Sequence, residues 1–272
     1  MSRANALEAV PAGIRTATPS SVRHVNKAIL LELIRRHQPM SRADLARVTG
    51  IFRSSVSDIV DELVETGLVI EEKAIPFRRG RVPMSLQLNE ASYPVLGLNI
   101  RPQHCQLAYA GLSGRIQKTW TFETPSSPRQ LVKTVAQAIQ RARTDLNFRG
   151  NGTFRTLGIA VPGHVDTANG TILWTPTHEQ FSNFPIAEEL ESYSGLPALA
   201  DNDCNAGALS ELWLATEDRR DRSTDFVFLN VSDFGVGAGT VLNGQIYPGH
   251  DSRLAGEVGH MVVEPGGLPC GC

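Results

Sequence analysis

Three side chains close to one another at the end of this 272-residue sequence have the types and spacing of metal ligands. Cys270 and Cys272 form a C-x-C pair, and His260 precedes them in GEVGHMVVEPGGLPCGC. Two thiolates and one imidazole suit zinc, but they stop one donor short of a closed tetrahedral shell. Either a fourth ligand comes from elsewhere in the chain, or the ligand set is incomplete within this sequence. A second group of residues offers different chemistry. Arg42, Arg53, Ser54, Ser55 and Ser57 fall within one short segment, followed by Arg78, Arg79 and Arg81. Small hydroxyls and guanidinium groups suit contacts to phosphates and base edges, so these eight residues are candidate DNA contacts.

Both groups need elements to hold them. In VRHVNKAILLELIRRHQP, Val22, Val25, Ile29, Leu30, Leu33 and Ile34 recur at steps of three and four, which predicts a helix with one apolar stripe, ended by Pro39. SRADLARVTG opens with Ser41 three residues before Asp44, an acidic form of the capping box, and closes on Gly50. SSVSDIVDELVETG follows after a very short turn, with Val56, Ile59, Val60 and Leu63 inward and Gly67 as its stop. Three short helices, the last two joined by a tight turn, are the helix-turn-helix arrangement, in which the last helix enters the major groove. LVIEEKAIPFRRGRVPMSLQLNE then reads as strand, basic turn and strand, a wing whose arginines neutralise phosphates or reach a minor groove.

From Tyr93 onward the period changes. VLGLNI, QLAYAGL, TWTF and TLGIAVPG are strand-like, and PRQLVKTVAQAIQRARTDL between the third and fourth is a helix with Leu131, Val132, Val135, Ala138 and Ile139 inward. A helical IAEELESYSG, a strand PALA, a helix DCNAGALSELWLA and the strands DFVFLNVS and TVLNGQIYPG complete a mixed α/β pattern. Cys105 and Cys204 read as core residues.

Composition is that of a globular chain, 41% hydrophobic and 20% charged, with a net charge of −2. The charge is unevenly placed. Residues 1–88 hold 13 Lys/Arg against 9 Asp/Glu, and the remainder 13 against 19. A basic front and an acidic back agree with nucleic-acid binding at the front only. No apolar run is long enough to span a bilayer, and the first twenty residues lack the apolar centre of a secretory signal. Four cysteines without a disulfide framework fit a reducing compartment, so the expected location is cytoplasmic, with no membrane partner.

The stretch from Asn26 to Val69 resembles winged-helix repressors, and RRGRVP resembles the wing motif of ROK-family regulators. GIAVPGHVD, ADNDCNAGALSE, FGVGAGTVLNGQIYPG and AGEVGHMVVEPGGLPCGC, in that order, resemble the ROK family of sugar kinases and sugar-responsive repressors. The resemblance implies an α/β chain: a flexible arm over 1–20, a winged helix-turn-helix DNA-binding domain over 21–90, a first actin-like, ribonuclease H-like lobe over 92–200 and the start of a second lobe over 201–272. It implies that Asn202, Asp203, Glu257 and His260 contact a sugar, and that His260 ligates a structural zinc with Cys270, Cys272 and a further cysteine of a C-x-C-G-x-x-G-C pattern absent from this sequence. The second lobe is accordingly expected to be truncated. The partners implied are operator DNA, a sugar or sugar-phosphate effector and, for a full-length chain, a second copy forming a homodimer.

Departures from the family pattern bear on activity. Asp203 matches the catalytic base of the kinases, which would take a proton from the sugar hydroxyl that attacks a γ-phosphate. In LGLNIRPQHCQLA, however, Asn99 stands where the kinases carry an aspartate, and Arg101, Pro102 and Gln103 replace glycines and a threonine of the phosphate loop. Proline removes a donor N–H, and side chains fill space a phosphate would need. Asp233 and Phe234 alter the second phosphate loop. The expectation is therefore a regulator rather than an enzyme, with no ATP or Mg²⁺ and with Asp203 vestigial. The alternative is a ROK sugar kinase carrying a DNA-binding domain. Two further departures are Thr177 and Phe181, which stand in for an amide and an indole at the expected sugar-side wall, and Phe52. A phenyl ring cannot accept the N-cap hydrogen bond of the third helix, which leaves Ser54 as the candidate cap.

Overall fold

A computed structural model describes residues 19–73, 84–147, 154–176, 178–214, 225–232, 234–249 and 255–267, with side chains from Ser21. The chain divides into two compact units, residues 1–88 and 89–272.

The first unit contains α1 (Pro19–His37), α2 (Arg42–Thr49), α3 (Arg53–Glu65), β1 (Val69–Lys73) and β2 (Met84–Leu88). Local signals set these boundaries. Ser41 accepts the Asp44 amide at 3.1 Å while the Asp44 carboxylate accepts the Ser41 amide at 3.1 Å, a complete capping box on α2. Gly50 takes a left-handed conformation (φ 70°), and its amide returns to the Ala46 carbonyl, ending the helix. Val56, Ile59, Val60 and Leu63 of α3 are buried, as are Leu30 and Ile34 of α1 and Leu45 of α2. β1 and β2 pair antiparallel from Val69↔Leu88 to Lys73↔Met84, and Met40 bridges to Leu86 on the other side of β2.

Two expectations for this unit need correction. The apolar stripe of α1 is buried only in its second half: Leu30 and Ile34 are fully covered, whereas Val22, Val25 and Ile29 are 45%, 58% and 42% exposed. At that level α1 meets α3 through charge, with Arg23 and Lys27 both paired to Glu62. The cap of α3 is not Ser54. The helix begins at Arg53 with Phe52 in the N-cap position, and no side chain closes it. The predicted wing tip, with Arg78, Arg79 and Arg81, lies outside the described residues, as do residues 1–18 of the arm predicted over 1–20, whose last two residues, Pro19 and Ser20, instead begin α1.

The second unit is built on a five-stranded sheet in the order β5-β4-β3-β6-β9. Its strands are β3 (Val95–Ile100), β4 (His104–Ala110), β5 (Ile116–Glu123), β6 (Leu157–Val161) and β9 (Ala198–Asn202). β5, β4 and β3 are antiparallel neighbours, while β3, β6 and β9 run parallel. Parallel neighbours need crossovers, supplied by α4 (Pro128–Asp145) between β5 and β6 and α5 (Ile186–Ser194) before β9. α4 starts on Ser127, whose hydroxyl accepts the Gln130 amide, with Pro128 at the first helical position. The core forms where Leu131, Val135 and Ile139 of α4 meet alternate residues of the strands, Leu96, Leu98, Leu107, Leu157 and Ile159. β7 (His164–Asp166) and β8 (Thr171–Trp174) form a short hairpin after β6.

α6 (Asp203–Leu214) leads from β9 to a second sheet of β10 (Phe226–Ser232), β11 (Gly235–Leu242) and β12 (Gln245–Ile246). Among the described residues no helix is long and apolar enough to cross a membrane.

Candidate functional site

The parallel pairing of β6 with β9 places Val161 beside Asn202, so the two strands end together and release their chains into one cleft. Ligands of open α/β sheets bind at such carboxyl ends. From β6 comes Pro162-Gly163-His164; from β9 comes Asn202-Asp203. Gly163 is in the left-handed region (φ 117°), and a Cβ there would stand 2.3 Å from the Trp174 carbonyl oxygen, so glycine is what lets the β7–β8 hairpin fold back. The Gly163 carbonyl accepts Asn202 Nδ2 at 2.9 Å. Asn202 Oδ1 in turn accepts the amides of Cys204 (2.8 Å) and Asn205 (3.1 Å), capping α6.

The opposite wall is Ala255-Gly256-Glu257. Gly256 (φ 99°) lies against β11 so closely that a Cβ would fall 2.0 Å from the Ala238 carbonyl oxygen, and its own carbonyl accepts the Ala238 amide. This contact carries the Glu257 carboxylate over the cleft. Its Oε1 lies 3.1 Å from His164 Nε2, and Oε2 lies 3.5 Å from Nε2 of His260, which ends a 3₁₀ turn over Val258–His260. The His164 ring packs on Trp174 with centroids 5.4 Å apart.

Asn202, Asn205, Gly163, Gly237 and Glu257 line the cleft, whose free volume is ≈ 30 Å³. That admits a water molecule or two and is far below the roughly 300–1,000 Å³ of a typical ligand pocket.

Asp203 is half-buried at the first position of α6. Burial pushes its carboxyl above the usual range, and hydrogen bonds involving Cys204 and the charge of Arg101 pull part of that back. Cys204 is pushed up to about 12, by burial and then by the Asp203 charge, so it is an inert thiol. The turn from β3 to β4, Arg101–Gln103, is a short hairpin connection with two carbonyls bound by one residue: Thr124 Oγ1 donates to the Arg101 carbonyl at 2.6 Å, and the Thr124 amide donates to that of Gln103 at 3.1 Å.

The structure therefore brings Asn202, Asp203, Glu257 and His260 to one region. His164 and Trp174 join them, and the sequence reading missed both; the signal available was a histidine directly after the Pro-Gly that ends β6. Phe181 is corrected: it is not on the cleft wall but 1% exposed in the core, stacked on His178 at 5.0 Å. Thr177, Asp233, Cys270 and Cys272 lie outside the described residues, and among those that are described no group of three His, Cys, Asp or Glu side chains is placed to hold a metal.

In the first unit, Arg53 and Ser54 are exposed and Ser55 and Ser57 half-exposed at the start of α3. Arg42 differs from its expectation as a DNA contact. Its guanidinium is held inside the unit by Glu71, Asp61 and the Ser57 carbonyl.

The ROK family model matches residues 95–272, more than half of the chain. The chain belongs to the ROK family. A MarR-family model matches residues 24–79, the winged-helix part. The ROK relatives include the xylose repressor of Caldicellulosiruptor bescii, 25% identical over 92% of this chain and 62% of the relative. The DNA-binding transcriptional repressor Mlc of Escherichia coli is 29% identical over 92% of this chain and 61% of its own length. The chain thus spans about three fifths of the length of these ROK proteins. Among solved structures, a ROK-family transcriptional regulator described as a homologue of E. coli Mlc shares the fold, with a TM-score of 0.72 at 23% identity, over 92% of this chain and 62% of that one. A ROK glucokinase from Streptomyces griseus, solved with glucose and AMPPNP, gives a TM-score of 0.56 at 26% identity over 66% of this chain and 54% of that one.

Proposed function

We propose that this ROK protein is a sequence-specific DNA-binding transcriptional regulator, acting as a repressor, whose kinase-derived unit senses a sugar. The observation that carries the reading is the joining, in one chain, of a winged-helix unit with an exposed Arg53-Ser54 helix start to a ROK unit. Two of its relatives, the xylose repressor of C. bescii and Mlc of E. coli, are repressors by name. Arg53, Ser54, Ser55 and Ser57 are the proposed base and phosphate contacts, with Arg78, Arg79 and Arg81 of the wing on the adjoining backbone. Arg42 acts by holding the unit together.

In this reading Asn202, Asp203, Glu257 and His260 bind sugar hydroxyls without chemistry, residues 92–200 form one lobe and residues 201–272 begin the second. A second copy supplies the other half-site reader. His260, Cys270 and Cys272 are proposed zinc ligands; zinc co-purifying in stoichiometric amount and lost from Cys270→Ser supports this, and its absence rejects it.

The second reading, a sugar kinase with an added DNA-binding unit, is favoured by one observation: Asp203 is half-buried and shifted toward neutrality, as a general base would be. A single experiment separates the two. A duplex selected from random sequence is titrated with the protein by fluorescence anisotropy, with and without glucose or xylose, and the same mixtures with ATP are assayed for sugar phosphate. Sugar-dependent DNA affinity without product supports the regulator, and phosphorylation lost in Asp203→Ala supports the kinase.

A further inference from the structure

We propose that Asn205 is a direct hydroxyl-binding residue of the sugar cleft; the inference rests on the sugar-sensing reading above and adds a residue to it. Asn205 is 9% exposed, sits in the first turn of α6 and lines the cleft beside Asn202 and Glu257. Its Oδ1 is buried and has no hydrogen-bond partner among the described residues. The orientation of the amide is not arbitrary. Nδ2 donates to Asp201 Oδ1 at 3.0 Å, and a carboxylate can only accept, so the carbonyl oxygen is the atom turned away from Asp201.

A buried acceptor left without a donor is costly, and native proteins pair nearly all such groups. The side chain of Asn202 beside it is already matched: Oδ1 accepts two amides, and Nδ2 reaches the Gly163 carbonyl. Asn205 Oδ1 is thus an acceptor waiting for an O–H. A sugar hydroxyl supplies one; so does a water in the small cleft. The two differ in consequence, because only the first makes affinity depend on one particular hydroxyl of the ligand.

The test uses the whole chain with glucose, xylose and their monodeoxy analogues in calorimetric titration. Wild type is expected to lose about five- to tenfold in affinity for one deoxy analogue, a hydrogen bond's worth. Asn205→Ala is expected to bind the parent sugar that much more weakly and to treat parent and analogue alike. Asp201→Ala removes the anchor of Nδ2 but leaves Oδ1, and should keep the discrimination. On wild type alone, the Asn205 side-chain amide resonances should shift with the parent sugar and stay in place with that analogue, which reads the contact without any variant. Discrimination undiminished in Asn205→Ala, or unshifted amide resonances, overturns the proposal and leaves Oδ1 to a water. A wild-type chain that binds none of these sugars overturns the sugar reading itself, and this residue's role with it.

Discussion

Arg42 and Glu71 are joined by two parallel hydrogen bonds, Nε to Oε1 at 2.9 Å and Nη2 to Oε2 at 2.8 Å, which tie the first residue of α2 to the middle of β1. Nη1 reaches Asp61 of α3 at 2.7 Å, so one guanidinium fastens three elements. Such fork-to-fork geometry is specific to arginine. Arg42→Lys should therefore not rescue Arg42→Ala. Because the pair is 28% and 21% exposed, the expected loss is about 1 kcal/mol, followed by thermal unfolding of the winged-helix unit.

Phe52 leaves α3 uncapped while 82% exposed. Its φ of −56° and ψ of 139° are compatible with serine, whose hydroxyl would accept an orphan amide of the first turn. Phe52→Ser is expected to stabilise the unit by about 1 kcal/mol, seen as a raised denaturant midpoint at unchanged slope.

Arg53 has no such internal duty in the proposed reading. Arg53→Ala should leave stability within about 0.5 kcal/mol of wild type. It should weaken operator binding and lower the magnitude of the salt slope by about 1, measured by anisotropy across a salt series.

Asp203 couples the cleft to pH. Its carboxyl is raised above the ordinary 3.8 by burial, so between the unfolded and folded values the folded state holds the extra proton. Stability then falls as pH rises through that window, the reverse of a salt-bridged carboxylate, and the cost persists at neutral pH. Asp203→Asn should raise the melting temperature at pH 7, with the advantage shrinking as pH drops toward 3.8. A melting temperature unaltered at every pH would show that the group is solvated as in the unfolded chain.

Gly256 has both a left-handed φ of 99° and a backbone oxygen where a side chain would start. Gly256→Ala is expected to cost about 2–3 kcal/mol and to detach Glu257 from His164. The local readout is faster exchange of the Ala238 amide, which the Gly256 carbonyl accepts.

Much of the chain was legible because its signals are local. The Ser41–Asp44 capping box, the Gly50 and Gly67 stops, the α4 stripe and the strand-like runs of β3, β4 and β6 each act over a few residues, and each folds as read. Asn202 and Asp203 at the end of β9 were named as site residues through the family resemblance rather than through any local signal. What the sequence by itself determined is thus the winged-helix pattern and the mixed α/β sheet, while Asn202, Asp203, Glu257 and His260 became candidates through the family resemblance.

Tertiary structure decided the assignments that depend on a partner far along the chain. Arg42 looked free for DNA until Glu71, 29 residues away, was brought beside it. Periodicity marked Val22, Val25 and Ile29 as inward, but α3 meets that part of α1 with Glu62 rather than with an apolar face. Phe181 was expected at the cleft and went to the core, where burial of a phenyl ring is more favourable than its exposure. Glu257 finds His164 across 93 residues, and Asn205 Oδ1 is left without a donor only because Asp201 claims the other end of its amide. A sequence pattern states which residues can bury or bond. Only the folded chain sets which of them meet, because each long-range contact depends on every element that closes the loop between its partners.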